Sequence, residues 1–222
     1  MNRQVAIILM IVAISATGYA QTSLRDSINI TDHEIKLHPD SVQLYLVKAS
    51  LCLKVYDWEE ATKTCTDALY KDNNCLDALY YRAYANNNLR RYTLAKNDYE
   101  TLIRLAPRNK EARLGLIYTL TCLKKHNDAL DQANILIELF PDSSEAFAAR
   151  AGVEEDMNAF ELALYDLDQA IRLSPTESEY IIAKAEILIH LNRKQEAKTL
   201  LQAALKRGIP RESLLAIMAR CR

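Results

Sequence analysis

The feature that most constrains this chain is a repeat of its own sequence every 34 residues. Five alanines stand at this spacing in a single column: Ala61, Ala95, Ala129, Ala163 and Ala197. The columns twelve residues before and seven residues after these alanines are also apolar and mostly small. A repeat of this length is one supersecondary unit that buries its apolar face by stacking on its neighbours. The chain is therefore predicted to form a stack of similar repeats.

Each repeat contains two amphipathic segments. In the second repeat, residues 77–89 and 92–105 carry apolar residues at the i, i+3, i+4 and i+7 positions of a helix, separated by the polar pair Arg90 and Arg91. The chain has only four glycines and five prolines, which favours helices over a turn-rich β architecture. Prolines that end one repeat recur twelve residues after three of the column alanines: Pro107, Pro141 and Pro175. The fold class predicted is all-α.

These columns resemble the tetratricopeptide repeat, most strongly in LYYRA…YTLA…LAP and FAARA…FELA…LSP. The resemblance covers about 170 residues in five repeats: 42–75, 76–109, 110–143, 144–177 and 178–211. It implies an α-α superhelix, a solenoid of antiparallel helix pairs with a concave face lined mainly by the first helix of each pair. Residues 21–41 are predicted to be an N-terminal capping helix, a degenerate half repeat, and residues 212–222 a C-terminal capping helix.

The first twenty residues differ from the rest of the chain. Arg3 supplies a positive charge, residues 5–14 form an apolar run, and the small residues Gly18 and Ala20 precede Gln21. This pattern is typical of a secretory signal peptide over residues 1–20, cleaved after Ala20. The apolar run is shorter than the roughly 20 residues of a spanning helix. We therefore expect a periplasmic or secreted protein with no membrane span after cleavage; the alternative is a retained N-terminal helix that anchors it.

The polar and sulfur-containing residues give no sign of catalysis. The formal net charge of −1 offers no basic field for nucleic acid. There is no G-x-S-x-G, Gly-rich phosphate loop or H-E-x-x-H, so we expect no enzyme activity, metal or cofactor. The five cysteines make an odd count without C-x-x-C spacing. Cys52 and Cys65 are either a disulfide pair, which export permits, or free thiols that pack in the core.

The first helices of the repeats supply the residues that the resemblance places in the concave groove. Those of the second and third repeats are aromatic or uncharged polar residues: Tyr80, Tyr84, Asn87, Asn88, Tyr118 and Thr121. Those of the fourth and fifth repeats are acidic: Glu155, Asp156 and Glu186. Tyrosines are enriched in binding hot spots, and carboxylates favour a basic partner. The alternative is that the tyrosines only pack and the acidic residues only face solvent.

One function within the family is excluded by these columns. Tetratricopeptide domains that grip acidic chaperone tails use a clamp of Lys and Asn, whereas the corresponding positions here hold Leu46, Tyr80 and Tyr84. Basic residues such as Arg82 and Arg150 lie two positions further along and are predicted to point toward a helix junction. The predicted function is an exported scaffold that binds a protein or peptide partner in the groove. The alternative is a membrane-tethered structural subunit of an envelope complex.

Overall fold

A computed structural model describes residues 23–221, and every regular element in that range is an α-helix. Helix α1 covers residues 23–37. The paired helices that follow are α2 Val42–Lys54, α3 Trp58–Lys71, α4 Leu76–Asn88, α5 Tyr92–Leu105, α6 Lys110–Cys122, α7 His126–Leu139, α8 Ser144–Asp156, α9 Phe160–Leu173, α10 Ser178–His190 and α11 Lys194–Lys206, before a final helix, α12 Arg211–Arg220. Corresponding helices start 34 residues apart, so the helix bounds repeat with the sequence. The predicted signal peptide, residues 1–20, lies outside the described residues.

The chain divides into two compact units, which are called here the N-terminal unit, residues 1–107, and the C-terminal unit, residues 108–222. In the N-terminal unit α2 packs on α3, α3 on α4 and α4 on α5. In the C-terminal unit the same pattern runs from α6 to α11, and α12 packs on both α10 and α11. Each helix is thus held mainly by its neighbours in the sequence, as expected of a repeat fold.

The alanine column lies in the buried core of the repeats. All five of its alanines have no solvent exposure. A methyl side chain lets two helix backbones approach, and larger side chains fill the grooves around the contact. Tyr99 and Leu102 have this role in the N-terminal unit, and Leu136 and Leu167 have it in the C-terminal unit, each at most 3% exposed. The periodic core is therefore the one that the sequence predicted.

The turn between the two helices of each repeat contains one residue in the left-handed conformation. Its φ lies between 58° and 61° in all five repeats: Tyr56, Arg90, Lys124, Asn158 and Asn192. This conformation ends many helices and favours glycine, with asparagine the next best choice. The tyrosine, the arginine and the lysine therefore occupy strained positions.

Buried ion pairs join neighbouring helices at the same position in both units. Arg82 on α4 donates two hydrogen bonds to the carboxylate of Asp98 on α5, at 2.9 and 2.7 Å. Arg150 on α8 donates to Asp166 on α9 at 2.6 and 2.8 Å and to Asn134 on α7 at 2.8 Å. The carboxylates of Asp98 and Asp166 are buried. These arginines lie at helix junctions, as predicted.

Cys52 and Cys65 are both free thiols, so the disulfide alternative is not what the structure shows. Cys52 packs in a small apolar cluster with Ala61 and Ala85. Burial raises the pKa of Cys52 to about 11 and that of Cys65 to about 12. Both thiols therefore act as small core residues.

Candidate functional site

Four aromatic side chains form a continuous row on the N-terminal unit, named here the aromatic strip: Tyr56, Trp58, Tyr84 and Tyr80. Ring centroids are 5.5 Å apart between Tyr56 and Trp58 and 5.9 Å apart between Trp58 and Tyr84, both in edge-to-face geometry. Tyr84 and Tyr80 are 6.5 Å apart and stacked. Aromatic pairs prefer these separations. Tyr56 is 72% exposed and Tyr84 is 42% exposed, so the strip presents rings to solvent.

The strip is anchored in the core through Tyr80. The ring of Tyr80 lies 6.1 Å from that of Tyr99 on α5, edge to face. Burial raises the pKa of Tyr99, and the side chain of Asn87 is hydrogen-bonded to it. Asn87 is itself buried. It therefore lies beneath the tyrosines and supports them, although the sequence placed it on the groove surface.

The other groove residues predicted in the second and third repeats are exposed or half-buried. Asn88 is exposed, and its amide donates a hydrogen bond to the carbonyl of Tyr84 at 2.9 Å. Tyr118 belongs to the C-terminal unit and is 56% exposed. Thr121, one helical turn further along α6, is half-buried and donates to the carbonyl of Ile117 at 2.9 Å. The structure thus brings Tyr80 and Tyr84 together in one unit and exposes Tyr118 on the other.

The three predicted acidic residues line one cleft of about 490 Å³ in the C-terminal unit, named here the acidic cleft. Its lining residues come from α8, α9, α10 and α12 and from the turn before α9: Gly152, Glu155, Asp156, Asn158, Phe160, Glu186, His190 and Arg220. The rings of Phe160 and His190 lie 4.7 Å apart and form an aromatic wall. The structure therefore brings the three acidic residues together in one cleft.

The carboxylates of the cleft differ in their partners. Asp156 accepts a hydrogen bond from Lys124 at 2.7 Å, and Glu186 accepts one from Arg220 at 2.6 Å. Burial raises the pKa of Glu155, and the nearby carboxylates of Glu186 and Asp156 raise it further. Of the three carboxylates, Glu155 is the one with no salt bridge to any residue in the range 23–221. The cleft therefore holds negative charge that remains open to a cation.

Reasoning from the first helices alone missed several of these residues. Trp58 and Phe160 belong to one column of the repeat, at the start of the second helices, and that column could have identified them. Tyr56 and Asn158 likewise share one turn position. Arg220 lies in the C-terminal cap outside the repeats, so no column of the repeat predicts its place in the cleft.

Two further features of the described residues concern metals and membranes. Across residues 23–221, no group of three or more His, Cys, Asp or Glu side chains is arranged to hold a metal ion. No helix in the same range is both long enough and apolar enough to cross a membrane.

The comparisons with known proteins agree with the helical repeats. A family model described as the tetratricopeptide repeat matches residues 77–109, and the fold is similar to that of a tetratricopeptide repeat protein from Parabacteroides merdae ATCC 43184. That similarity has a TM-score of 0.71 at 18% identity, over 91% of this chain and 79% of the other. Residues 77–109 therefore match a tetratricopeptide repeat, and the helical repeats have the fold of tetratricopeptide repeat proteins.

Two further proteins are similar to this chain. It shares its fold with YrrB, described as having an unusual peptide-binding site, at a TM-score of 0.58 and 19% identity over 79% of this chain and 91% of YrrB. It is 25% identical over 153 residues to DnaJ protein P58IPK homolog A of Oryza sativa subsp. japonica. That match covers 67% of this chain and 32% of the relative, so the chain spans about a third of the relative's length.

Proposed function

We propose that this protein is an exported scaffold that binds a protein or peptide partner and performs no catalysis itself. The observation that carries the proposal is the aromatic strip on the N-terminal unit. Tyrosine and tryptophan side chains offer large amphipathic contact areas and lose little conformational entropy on binding, which is why they dominate binding hot spots. Four such rings in a continuous row on α3, α4 and the turn before α3 form a preorganised surface.

The exposed ring of Tyr56 supports a binding role for the strip. A tyrosine with a φ of 61° costs on the order of 1 kcal/mol relative to a residue that tolerates this region. The ring gains little from burial in return, because it is 72% exposed. The same left-handed turn occurs in all five repeats, so the strain does not distinguish Tyr56. What distinguishes it is the exposed ring that it adds to the strip, and this ring favours a partner there.

The fold provides independent support for a partner of this kind. Stacked helix pairs create extended surfaces that suit protein segments, and the similar protein YrrB is described as having a peptide-binding site. The pattern in residues 1–20 supports the export part of the proposal. Mass spectrometry of the mature chain tests export: a chain that starts at Gln21 supports the cleaved, exported protein, and an intact N-terminus in the membrane fraction supports a tethered subunit.

Cross-linking capture from intact cells tests the scaffold function. The double variant Tyr56→Ala, Tyr84→Ala removes two exposed rings of the strip, and we expect capture of a specific partner to fall at least ~10-fold. Tyr70→Ala is the matched control, because Tyr70 is 88% exposed on α3 and makes no ring contact with the strip. Equal capture by the double variant, with circular dichroism showing an intact fold, would rule out the strip as the binding surface.

A further inference from the structure

The acidic cleft contains a glycine for which neither the backbone nor the packing gives a reason. Gly152 lies in the interior of α8, where glycine destabilises a helix relative to alanine. Its φ is not in the left-handed region, since Gly208 is the glycine with positive φ among the described residues. A Cβ atom placed on Gly152 would meet no atom within 4 Å beyond its chain neighbours and the backbone of its own helix. The wall of the cleft is therefore open at Gly152.

The charge around this open space selects a cation. Glu155 and Asp156 lie on α8, and Glu186 lies on α10 on the other side of the cleft. Asp156 and Glu186 form salt bridges, whereas Glu155 forms none in the described part of the chain. Glu155 interacts electrostatically with His190, so its carboxylate can accept a further positive group. The wall formed by Phe160 and His190 adds ring surface, against which a planar guanidinium can stack. The cleft thus combines features that suit an arginine side chain.

One arginine of the chain already lies in the cleft. Arg220, in the last turn of α12, donates from Nη1 to Oε1 of Glu186 at 2.6 Å. Both side chains remain about half exposed, at 54% and 46%. Exposed ion pairs of this kind contribute little to stability, so another arginine can displace this one. Arg220 therefore shows that the cleft accommodates a guanidinium group, and its exposed salt bridge leaves that place open to exchange.

We propose that the acidic cleft is a socket for an arginine side chain of a partner segment, and that Arg220 competes for the same socket. The inference rests on the proposed binding function and gives the partner a chemical property. Glu155 and Glu186 hold the guanidinium, and the open space over Gly152 admits the segment that carries it. The C-terminal helix then acts as an internal competitor that sets the affinity for the partner.

A defined peptide tests the socket directly. The probe is the fluorescein-labelled peptide Gly-Ser-Arg-Ser-Arg-Ser-Gly, and its match carries citrulline, which has the shape of arginine without the charge, at both arginine positions. Fluorescence anisotropy with the full-length protein should show binding of the arginine peptide at least ~10-fold tighter than binding of the citrulline peptide, and this difference should shrink as salt is added. Equal binding of the two peptides would overturn the proposal.

Variants at the cleft separate the socket from general surface charge. Glu155→Gln should weaken binding of the arginine peptide about 5-fold or more, and Gly152→Phe should abolish it by filling the space. Glu161→Gln is the matched control, since Glu161 is an exposed carboxylate of the same unit that pairs with Arg193 outside the cleft. Gly152→Ala checks the fold: it should raise the melting temperature and keep most of the binding. Unchanged binding in Gly152→Phe would contradict the socket.

The competitor is tested by Arg220→Gln. This variant frees Glu186, so the arginine peptide should bind about 3-fold to 10-fold more tightly; an equal or lower affinity would overturn competition by Arg220. The outcome is independent of the aromatic strip. Partner capture that depends on Tyr56 and Tyr84 but not on Glu155 would leave the proposed scaffold function standing and dismiss the arginine socket.

Discussion

The aromatic strip and the acidic cleft occupy the same place in the repeat and have opposite chemistry. Both lie where the turn and second helix of one repeat meet the first helix of the next. Three repeats separate the corresponding residues, so that Tyr56 matches Asn158, Trp58 matches Phe160 and Tyr84 matches Glu186. The backbone turn is the same, with φ of 61° at Tyr56 and 60° at Asn158.

The comparison shows how one framework produces two surfaces. The buried alanine column is identical in both units and fixes the helix contacts, while the exposed columns are free to vary. Tyr84 fills its position with a ring that contacts Trp58. Glu186 lies at the equivalent position in the C-terminal unit and has an exposed carboxylate instead of a ring. The ring of Phe160, which corresponds to Trp58, packs on His190. A single column thus changes the surface from aromatic to acidic without altering the fold.

The largest effect is expected from breaking the ion pair that both units share. Arg150→Ala leaves the carboxylate of Asp166, which is 1% exposed, without its charged partner, and should cost about 3 kcal/mol or more in the C-terminal unit. Arg82→Ala is the matched change in the N-terminal unit, where Asp98 is 7% exposed. Hydrogen exchange localised to each unit measures both losses. A loss below about 1 kcal/mol in either unit would mean that the pair does not stabilise it.

The next largest effect is a pH dependence of stability that we expect in the C-terminal unit. Glu154 is 8% exposed, and burial, together with the neighbouring carboxylate of Asp166, raises its pKa to about 7. Its folded pKa lies above its unfolded value of 4.5, so the folded state binds the proton more tightly than the unfolded state does. The contribution of Glu154 to the stability of the C-terminal unit is therefore complete below pH 4.5 and is lost as the pH rises through about 7. Glu154→Gln should therefore stabilise the C-terminal unit by about 2 kcal/mol at pH 8 and remove this dependence.

The N-terminal unit supplies the control for this pH effect. The residue equivalent to Glu154 there is Asn86, which is also buried but does not titrate. Trp58 is the single tryptophan of the chain, so its fluorescence follows unfolding of the N-terminal unit alone. Both units are unfolded with urea at pH 5 and at pH 8. The stability reported by hydrogen exchange in α8 and α9 should change more between the two pH values than the stability reported by Trp58 fluorescence. Equal shifts in both signals would contradict the assignment to Glu154.

A smaller effect is expected from converting one surface into the other. Glu186→Tyr places in the C-terminal unit the ring that Tyr84 provides in the N-terminal unit, and the new ring should contact Phe160. Removal of the carboxylate should weaken binding of the arginine peptide at least ~5-fold, while the melting temperature changes little, because the position is exposed. Anisotropy and circular dichroism measure the two quantities. A large loss of stability would show that the exposed columns also stabilise the fold.

The smallest effect concerns strain at the turns. Tyr56→Gly should relieve the left-handed strain and stabilise the N-terminal unit by about 0.5 kcal/mol, after the lost contact between Tyr56 and Trp58 is taken into account. Asn158→Gly should change the C-terminal unit by less than that, since asparagine tolerates this conformation. The Trp58 unfolding transition reports the first change, and hydrogen exchange in α8 and α9 reports the second. A destabilised Tyr56→Gly would mean that the ring contact outweighs the strain.

The sequence predicted the fold because the repeat period determines it. Residues 77–89 and 92–105 were expected to be helical, and the helices run over Leu76–Asn88 and Tyr92–Leu105. Small buried residues in fixed columns leave few ways to pack such helices. Tyr80, Tyr84 and the acidic residues could be found because the first helices expose the same columns in each repeat.

The remaining features depend on contacts that no column encodes. Asn87 turns inward because Tyr99 lies beside it, and that contact joins two helices. Arg220 reaches Glu186 because α12 packs on α10, which is a property of the cap alone. The strain at Tyr56 follows from the turn that all the repeats share, whereas glycine, the residue that usually reveals such a turn, is absent from these five positions.

The buried thiols affect how the folded chain responds to an oxidising compartment. With a pKa of about 11, Cys52 is a thiolate in roughly one molecule in ten thousand at pH 7, and Cys65, with a pKa of about 12, is ionised still less often. Disulfide exchange proceeds through the thiolate, so its rate at these two sites falls with the ionised fraction. Once folded, the core around Ala61 is therefore kinetically protected from oxidants, whichever side of a membrane the protein occupies.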